Sequence, residues 1–346
     1  MDDPHPKARR VTSIDVAEAA GVSQSTVSRA LSGCDSITEA TRARVEAAAR
    51  ALDYRVNAHA ARLRRGSTGA LAVIVIGRAG AAPGAINPFH YKLLGAVCAE
   101  ASARGLSALV SFQSDPEQFA GGHIESGIAD GVVLIGTTTN AAAWAYHADL
   151  LDRAHVASWA SPFDRSREIR SDNERAARLA VERLVAGGHG TIVFVGTVEG
   201  DQPQFAERYR GYCAAMTAAG LPMRLSVPPH AEDRASQGAA AVEALLSGGR
   251  DFDGLYFACD ALALGGLDAL AAAGVAVPGD VGVIGYDGID GGEHSNPPLT
   301  TVEPDFAEAA RLLVERAMSD EIEDGAARVP VTVVERASVR APTCPS

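Results

Sequence analysis

Hydrophobic and polar positions along the chain follow two different patterns, which change at about residue 66. Before it, short runs place apolar residues three or four positions apart, which is the spacing of one face of an α-helix. After it, apolar runs such as "ALAVIVIG" alternate with longer alanine-rich runs such as "HYKLLGAVCAEASARG". The pattern predicts a small helical unit followed by a larger α/β unit.

The first predicted helix begins at a capping box. Thr12 is followed three residues later by Asp15, so the two side chains can satisfy backbone N–H groups reciprocally. Gly21 ends this helix, because glycine readily takes the left-handed conformation of a C-terminal cap. Its predicted apolar face comprises Ile14, Val16, Ala17 and Ala20.

Two further helices follow after short turns. Ser23 caps a second helix from about 24 to 31, in which Val27 and Leu31 point inward. Thr38 caps a third helix, with arginines on one face and an apolar face of Val45, Ala48, Ala49 and Leu52 on the other. Together these signals predict a three-helix unit with a helix-turn-helix at its front.

The outward residues of the second helix suit DNA. A helix-turn-helix places the first residues of its second helix on base edges in the major groove. Gln24 and Ser25 occupy that position, and the fork of Arg29 matches O6 and N7 of a guanine. The alternative is an ordinary α-helical domain with a solvated arginine on its surface.

The distribution of charge supports the DNA-binding interpretation. The chain has 346 residues, 47% of them hydrophobic, which leaves room for two or three folding units. Its net charge is −12, yet residues 1–66 hold 11 Lys/Arg against 8 Asp/Glu, and residues 67–346 hold 20 against 35. The excess of basic residues in 1–66 and of acidic residues in 67–346 suggests that the first segment alone binds a polyanion.

Cysteine spacing and hydropathy exclude several other classes. The five cysteines stand singly, so neither a disulfide framework nor a zinc site is indicated, and no metal or cofactor is expected. The N-terminal "MDDPHPKARR" lacks the apolar core of a signal peptide, and no run of about 18 apolar residues occurs. We therefore expect a soluble, cytoplasmic protein with no membrane contact.

The larger unit is predicted to consist of two α/β halves with a cleft between them. Strands and helices alternate from Gly69, with one helix near 116–127, and the pattern repeats after about residue 165, which implies βαβ units and parallel sheets. Ligands of such sheets bind at the carboxyl ends of strands. The candidates just past predicted strand ends are Phe89, His90, Asp201, Gln202, Asp260 and Asp287.

Two of the candidate acids have simpler interpretations. Asp260 opens the helical run "DALALGGL", which favours an N-cap over a ligand contact. Asp287 lies in "YDGID", which continues into a loop, and a turn-forming Asp-Gly pair is the alternative there.

The first unit resembles the DNA-binding headpiece of the LacI (lactose and galactose repressor) family. The match runs from Val11 to Gly66 and includes Asp15-Val16-Ala17, Ala20 to Ser23, Thr26 to Arg29, Thr41 to Val45 and Tyr54 to Ala60. The resemblance implies DNA contacts from Ser23, Gln24, Ser25, Thr26, Ser28, Arg29, Asn57, Ala60, Leu63 and Arg64. It also makes "NAHAARLRRG" a hinge helix that pairs with its partner's copy on DNA and inserts Leu63 into the minor groove. Val56 stands where the family usually has proline.

The larger unit resembles the effector-binding domain of the same family, which is built like a periplasmic sugar-binding protein. The matching motifs are Asn87-Pro88-Phe89, Ala129-Asp130-Gly131, Asp172-Asn173, Gly188-His189, Arg208 with Gly211-Tyr212, Ala263-Leu264-Gly265, Gly285-Tyr286-Asp287 and Leu299-Thr300-Thr301. The resemblance implies that Asp287 and Arg208 hold the effector's polar groups, while Phe89 and His90 pack on its carbon face.

Two positions depart from the family pattern. Cys259 stands where asparagine is common, and Ala160, beside Trp159, stands where an aspartate often ends a strand. The predicted effector-binding set is Phe89, His90, Trp159, Gln202, Arg208, Cys259 and Asp287.

The predicted organisation has three parts: a headpiece over 1–56, a hinge helix and linker over 57–68, and an effector-binding and dimerisation domain over 69–346. Within the last, we expect an N-subdomain at about 69–163 and 294–323, and a C-subdomain at about 164–293 and 324–346. The chain would cross between them near 161–165, 289–295 and 321–326.

The expected function is transcriptional regulation, most consistent with a repressor that binds a pseudo-palindromic operator as a homodimer. The effector is expected to be a small polar metabolite, a carbohydrate first and a nucleoside second. The competing classes are a solute-binding protein and a sugar-metabolising enzyme on the same α/β fold. No GxSxG, Walker, HExxH or strand-to-helix GxGxxG motif is present, so no enzyme is expected.

Overall fold

The computed structural model describes residues 11–34, 36–54, 66–82, 86–163, 168–200, 202–231, 233–322 and 325–342. They divide into two compact units, with the boundary between Thr68 and Gly69. The predicted DNA contacts Asn57, Ala60, Leu63 and Arg64 lie outside the described residues, as does Val56.

The first unit contains three helices at the predicted positions: α1 (Ser13–Ala20), α2 (Gln24–Leu31) and α3 (Glu39–Ala51). Their caps explain where they begin. The Thr12 backbone N donates to Asp15 Oδ2 at 2.7 Å, and Ser23 Oγ accepts from Thr26 N at 3.2 Å. Thr38 Oγ1 accepts from the backbone of α3 in the same way.

Small and β-branched side chains form the core of this unit. Val16, Val27 and Val45 are fully buried, one from each helix. Ile14, which the sequence placed on the apolar face of α1, is instead 54% exposed. At about 100° per residue, Ile14 lies some 200° from Val16 around the helix axis, so it faces away from the core.

The second unit is built from twelve strands and seven α-helices within the described residues. The strands are β1 (Ala70–Ile76), β2 (Ser107–Gln113), β3 (Gly131–Gly136), β4 (Val156–Ser158), β5 (Ile169–Ser171), β6 (Ile192–Val195), β7 (Arg224–Ser226), β8 (Gly254–Phe257), β9 (Gly282–Tyr286), β10 (Thr300–Pro304), β11 (Ala327–Val329) and β12 (Val331–Val334). The helices are α4 (Pro88–Ala103), α5 (Ala141–Tyr146), α6 (Asn173–Ala186), α7 (Pro203–Ala218), α8 (Arg234–Ser247), α9 (Asp260–Ala272) and α10 (Phe306–Ala317).

These strands form two parallel sheets joined by a short ribbon. The smaller sheet has the order β2-β1-β3-β4, and the larger has the order β12-β10-β9-β8-β6-β7, with β12 antiparallel. β5 and β11 pair in parallel as a two-stranded ribbon. Every residue of β1, β3, β6, β8 and β9 is buried, as expected for parallel strands covered on both faces. The α/β fold class inferred from the sequence is confirmed.

The predicted division between the two halves is wrong for residues 294–304. β10 pairs with β9 in the larger sheet, whereas α10 packs on α4 in the smaller half. The chain therefore crosses between Pro304 and Phe306, not at 289–295. Asp305 lies between them and caps α10, its Oδ1 accepting from Glu308 N at 2.9 Å, so the crossing needs a single residue.

The helix predicted near 116–127 is also absent from this described segment. Only Pro116–Gln118 forms a short 3₁₀ turn. Gly122 and Gly127 have φ of 70° and 65°, a left-handed conformation that ends any helix.

Candidate ligand cleft and nucleic-acid interface

The second helix of the first unit turns a polar face outward. Val27 and Ala30 are buried in the core of the unit, whereas Gln24, Ser25 and Arg29 are exposed. Thr26 and Ser28 are half-buried at the edge of the same face. The predicted base-reading residues therefore share one surface of α2.

Local hydrogen bonds order the start of this surface. Ser23 Oγ lies 2.9 Å from Ser25 Oγ and 2.8 Å from Thr26 Oγ1, and Gln24 Nε2 donates to Ser13 Oγ at 2.9 Å. Arg29 Nε makes a long contact of 3.4 Å with Ser25 O. Such a weak contact leaves the guanidinium free to exchange it for a base or a phosphate.

In the second unit, a cleft lies between the two halves at the carboxyl ends of the parallel strands. It is lined by all seven residues of the predicted effector-binding set: Phe89, His90, Trp159, Gln202, Arg208, Cys259 and Asp287. The polar and aromatic lining residues that the sequence analysis missed are Asn87, Thr137, Thr138, Arg170, Ser171, Asn173, Gln204, Phe205 and Arg234.

One side of the cleft, the aromatic wall, consists of Phe89, His90 and Trp159. Asn87 caps α4 by accepting from Phe89 N at 3.0 Å, which fixes the first turn of the helix. The Phe89 ring lies 5.4 Å from the His90 ring and 6.0 Å from Trp159, centroid to centroid. Burial lowers the pKa of His90 to about 4, so this wall is uncharged near neutral pH.

The opposite side, the charged wall, is built around Arg208 of α7. Its Nε donates to Asn173 Oδ1 at 2.9 Å, and Nη1 donates to the carbonyl oxygen of Ala258. The guanidinium carbon lies 3.4 Å from the Tyr286 ring centroid. Arg208 is therefore buried and held in one orientation, with Nη1 4.0 Å from Asp287 Oδ1.

Asp287 follows β9 directly and has a φ of 126°, which is rare for a residue other than glycine. Its backbone N donates to Val302 O at 3.0 Å, which holds this conformation against β10. Burial raises the pKa of the Asp287 carboxyl well above its usual range, and the Arg208 charge opposes that shift. The strained position of a buried acid is typical of a binding site.

Asp260 does not cap its helix, contrary to the sequence interpretation. Cys259 is the N-cap residue of α9, and the buried Asp260 carboxylate instead accepts from Ile289 N at 3.0 Å and Thr301 Oγ1 at 2.6 Å. Burial raises its pKa to about 6. A Cβ at Gly285 would lie 2.1 Å from Asp260 Oδ1, so glycine makes room for this link between α9 and the loop after Asp287.

A third arginine, Arg234 of α8, also lines the cleft. Its Nη2 donates to Gln202 Oε1 at 2.6 Å, and its Nη1 donates to Gln237 Oε1 at 2.7 Å. Its guanidinium carbon lies 5.3 Å from the Phe205 ring centroid, and that of Arg208 lies 5.5 Å from the same ring. We missed Arg234 because it follows the short, half-exposed β7, which gives no clear strand signal in the sequence.

Arg170, another lining residue, belongs to an ion-pair cluster with two glutamates. Arg170 pairs with Glu168 and with Glu207. Glu207 Oε2 also accepts from Asn173 Nδ2 at 2.6 Å, so the cluster supports the residue that orients Arg208.

Metal and membrane sites were also sought. Among the residues that the structure describes, no group of three or more His, Cys, Asp or Glu side chains is arranged to hold a metal ion. None of the described helices is long and apolar enough to cross a membrane.

Comparison with known proteins covers both units. Residues 13–57 match the family model described as bacterial regulatory proteins, lacI family, and residues 181–339 match a periplasmic binding protein-like domain. The HTH-type transcriptional regulator CelR of Thermobifida fusca is 32% identical over 338 residues, which cover 92% of this chain and 95% of that protein.

Solved structures give the same result. The lac repressor dimer bound to operator and the anti-inducer ONPF is similar with a TM-score of 0.75 and 25% identity, covering 96% of this chain and 100% of that chain. A complex of the transcriptional regulator CelR with cellobiose has a TM-score of 0.65 and 27% identity, covering 95% and 100%.

Proposed function

The chain belongs to the LacI family of bacterial regulatory proteins, and on that premise we propose that it represses transcription by binding an operator as a homodimer under the control of a small polar effector, a sugar. The observation that carries this proposal is the pairing, in one chain, of two features. α2 has an exposed polar face, and the cleft sets Arg208 and Asp287 opposite an aromatic wall.

We propose that Gln24, Ser25 and Arg29 contact base edges and that Ser23, Thr26 and Ser28 support them or contact phosphates. The lac repressor relative is a dimer on its operator. One headpiece buries too little surface for tight specific binding, so two half-sites and two subunits are needed. We propose that Leu63, in segment 57–68, enters the central minor groove of the operator. Leu63→Ala should therefore weaken operator binding in a gel-shift assay and leave effector binding unchanged.

Exposed apolar side chains on both halves support a second copy of the chain as the partner. Leu109, Val110 and Phe112 are exposed on β2, an edge strand of the smaller sheet, with Tyr91 beside them. Leu225 is exposed on β7, an edge strand of the larger sheet, near Met223 and Val227. Large apolar groups on sheet edges are typical of a protein interface.

A sugar fits the chemistry of the cleft. A carboxyl group and a guanidinium present paired acceptors and donors to adjacent hydroxyls. The Phe89 ring offers an apolar surface to the carbon face of the same ligand. The CelR relative was solved with cellobiose, which is consistent with this assignment.

We propose that the cleft binds its ligand without transforming it. Most glycoside hydrolysis requires two carboxyl groups that flank the scissile bond. Among the described residues that line the cleft, Asp287 is the single acid, and the Asp260 carboxylate is occupied by Ile289 N and Thr301 Oγ1.

DNA selection from a random pool with the full chain tests the function. We expect a pseudo-palindromic site whose affinity, followed by fluorescence anisotropy, falls steeply as salt rises. Arg29→Ala should cost about 1 to 3 kcal/mol and relax preference at one base pair. Arg50→Ala, at an exposed arginine of α3, is the matched control. A flat salt dependence contradicts the proposal, and an equal loss on all sequences would show that Arg29 contacts phosphate alone.

A further inference from the structure

The charges that line the cleft are unequal. The described lining residues include three arginines, Arg170, Arg208 and Arg234, and one acid, Asp287. Two of the arginines face carboxylates: Arg170 pairs with Glu168 and Glu207, and Arg208 lies 4.0 Å from Asp287. Arg234 differs from these two arginines in its partners.

Arg234 bonds to neutral groups. Its side-chain hydrogen bonds to described residues go to the amide oxygens of Gln202 and Gln237, and it forms no salt bridge with a described carboxylate. Amide partners fix the direction of a guanidinium without cancelling its charge. Since a guanidinium has five N–H donors, further donors remain for a ligand.

Two described acids lie near Arg234, namely Asp233 and Asp287. Asp233 directly precedes Arg234 but is exposed, and its carboxylate caps α8 by accepting from Ser236 N at 2.8 Å. Burial raises the pKa of the Cys259 thiol to about 12, so this neighbour is neutral. Arg208 and Arg234 lie over the same Phe205 ring, which brings two like charges to one wall of the cleft. Asp287 lies 4.0 Å from Arg208 and can balance one of these charges, so among the described lining residues this wall keeps an excess of positive charge.

We propose that the effector is an anionic carbohydrate, a sugar acid or sugar phosphate, whose anionic group binds Arg234 while its hydroxyls bind Arg208 and Asp287. Carboxylate and phosphate share the chemistry that a guanidinium fork recognises, paired oxygens with negative charge. The inference rests on the proposed function and narrows the effector class within it.

The test compares matched ligands on the full chain by isothermal titration calorimetry. The probes are D-glucose, D-glucuronate and D-glucose 6-phosphate, together with cellobiose and cellobionate. We expect at least one anionic member to bind about tenfold or more tightly than its neutral parent, because a charge-assisted hydrogen bond replaces solvent contact. The carboxylate and phosphate arms show which anion the site takes.

Variants at Arg234 locate the effect. Arg234→Gln should weaken the preferred anion about 10- to 100-fold and change its neutral parent by less than about threefold. Arg234→Lys should restore part of the loss, because it keeps the charge without the fork. Arg210→Gln, at an exposed arginine of α7, removes the same charge outside the cleft and should change neither affinity.

Operator affinity separates the two proposals. A neutral sugar that binds as tightly as its anion, or binding by none of the anions, overturns the anionic effector. If a neutral sugar still shifts operator affinity, the proposed function stands. Operator binding that responds to no member of the panel counts against both. Unchanged operator affinity of Arg234→Gln without ligand shows that the variant is folded.

Discussion

The two walls of the cleft differ in how their side chains are held. On the aromatic wall, Phe89 and Trp159 are fixed by packing, ring against ring, on the smaller half. On the charged wall, Arg208 is fixed by hydrogen bonds to Asn173 and Ala258 on the larger half. Packing is tolerant of ligand shape, whereas directed hydrogen bonds are not, so the charged wall is expected to set specificity.

The walls are also tied to each other. Lys92, two residues after His90 on α4, donates to Gly288 O at 2.9 Å and pairs with Glu303. Gly288 directly follows Asp287. A ligand that moves the Asp287 loop therefore acts on the smaller half through this contact, which gives effector binding a route to change the relation of the two halves.

The largest effect is expected from the charged wall. Asp287→Ala removes the acid and leaves the buried Arg208 without its carboxylate, so effector affinity should fall by about 4 kcal/mol, roughly a thousandfold. Calorimetry measures the loss. Asp290→Ala, at an exposed acid three residues later, is the matched control and should bind normally. Normal affinity in Asp287→Ala would mean that the charged wall does not hold the effector.

The second-largest effect is expected at Asp260, whose carboxylate holds the loop that follows Asp287 on the charged wall of the cleft. Its folded-state pKa of about 6 lies above the ordinary value of 3.8, so the stability it contributes is complete below about pH 4 and is lost as pH rises through 6. The free energy of unfolding of the native chain, relative to Asp260→Asn, should therefore fall by about 3 kcal/mol between pH 4 and pH 7.

Urea denaturation of both proteins across this range measures the difference. Ionisable groups that are present in both proteins, such as His90, largely cancel in the difference between the two free energies of unfolding. The Asp287 pKa does not cancel fully, because the Asp260 charge raises it. A difference that stays constant or grows with pH would contradict the assignment of Asp260 as a buried, costly carboxylate.

The sequence predicted the residues of the cleft better than their contacts. Asp287 follows β9 directly, and Phe89, His90 and Gln202 lie at the start of the helices that come after β1 and β6. Parallel strands bring the segments that follow them to one edge of a sheet. Asp260 also follows a strand, but local helix signals favoured a cap. Its partners Ile289 and Thr301 are distant in the chain, so only the tertiary structure reveals them.

The errors in the fold have a similar cause. The crossing at 304–306 depends on pairing of β10 with β9, which no local pattern specifies. The sequence near 116–127 has residues compatible with a helix, but Gly122 and Gly127 take left-handed conformations that end it. Local propensity thus predicted the elements, and long-range pairing decided where they belong.

The smallest effect is expected from the aromatic wall. Phe89→Leu keeps most of the buried volume but removes the ring, so effector affinity should fall by about 1 kcal/mol, roughly fivefold. Phe119→Leu, on the same half but outside the cleft, is the control and should leave affinity unchanged. A loss as large as that of Asp287→Ala would remove the distinction between the walls.

The proposed function requires that effector binding in the cleft and operator binding by the first unit are thermodynamically coupled. Operator affinity of the full chain is measured by fluorescence anisotropy with and without a saturating effector, and effector affinity is measured with and without operator. We predict that both change by one common factor, about 5- to 150-fold, because coupling is reciprocal. If neither affinity changes, the two sites are not coupled and the proposed regulation by an effector is wrong.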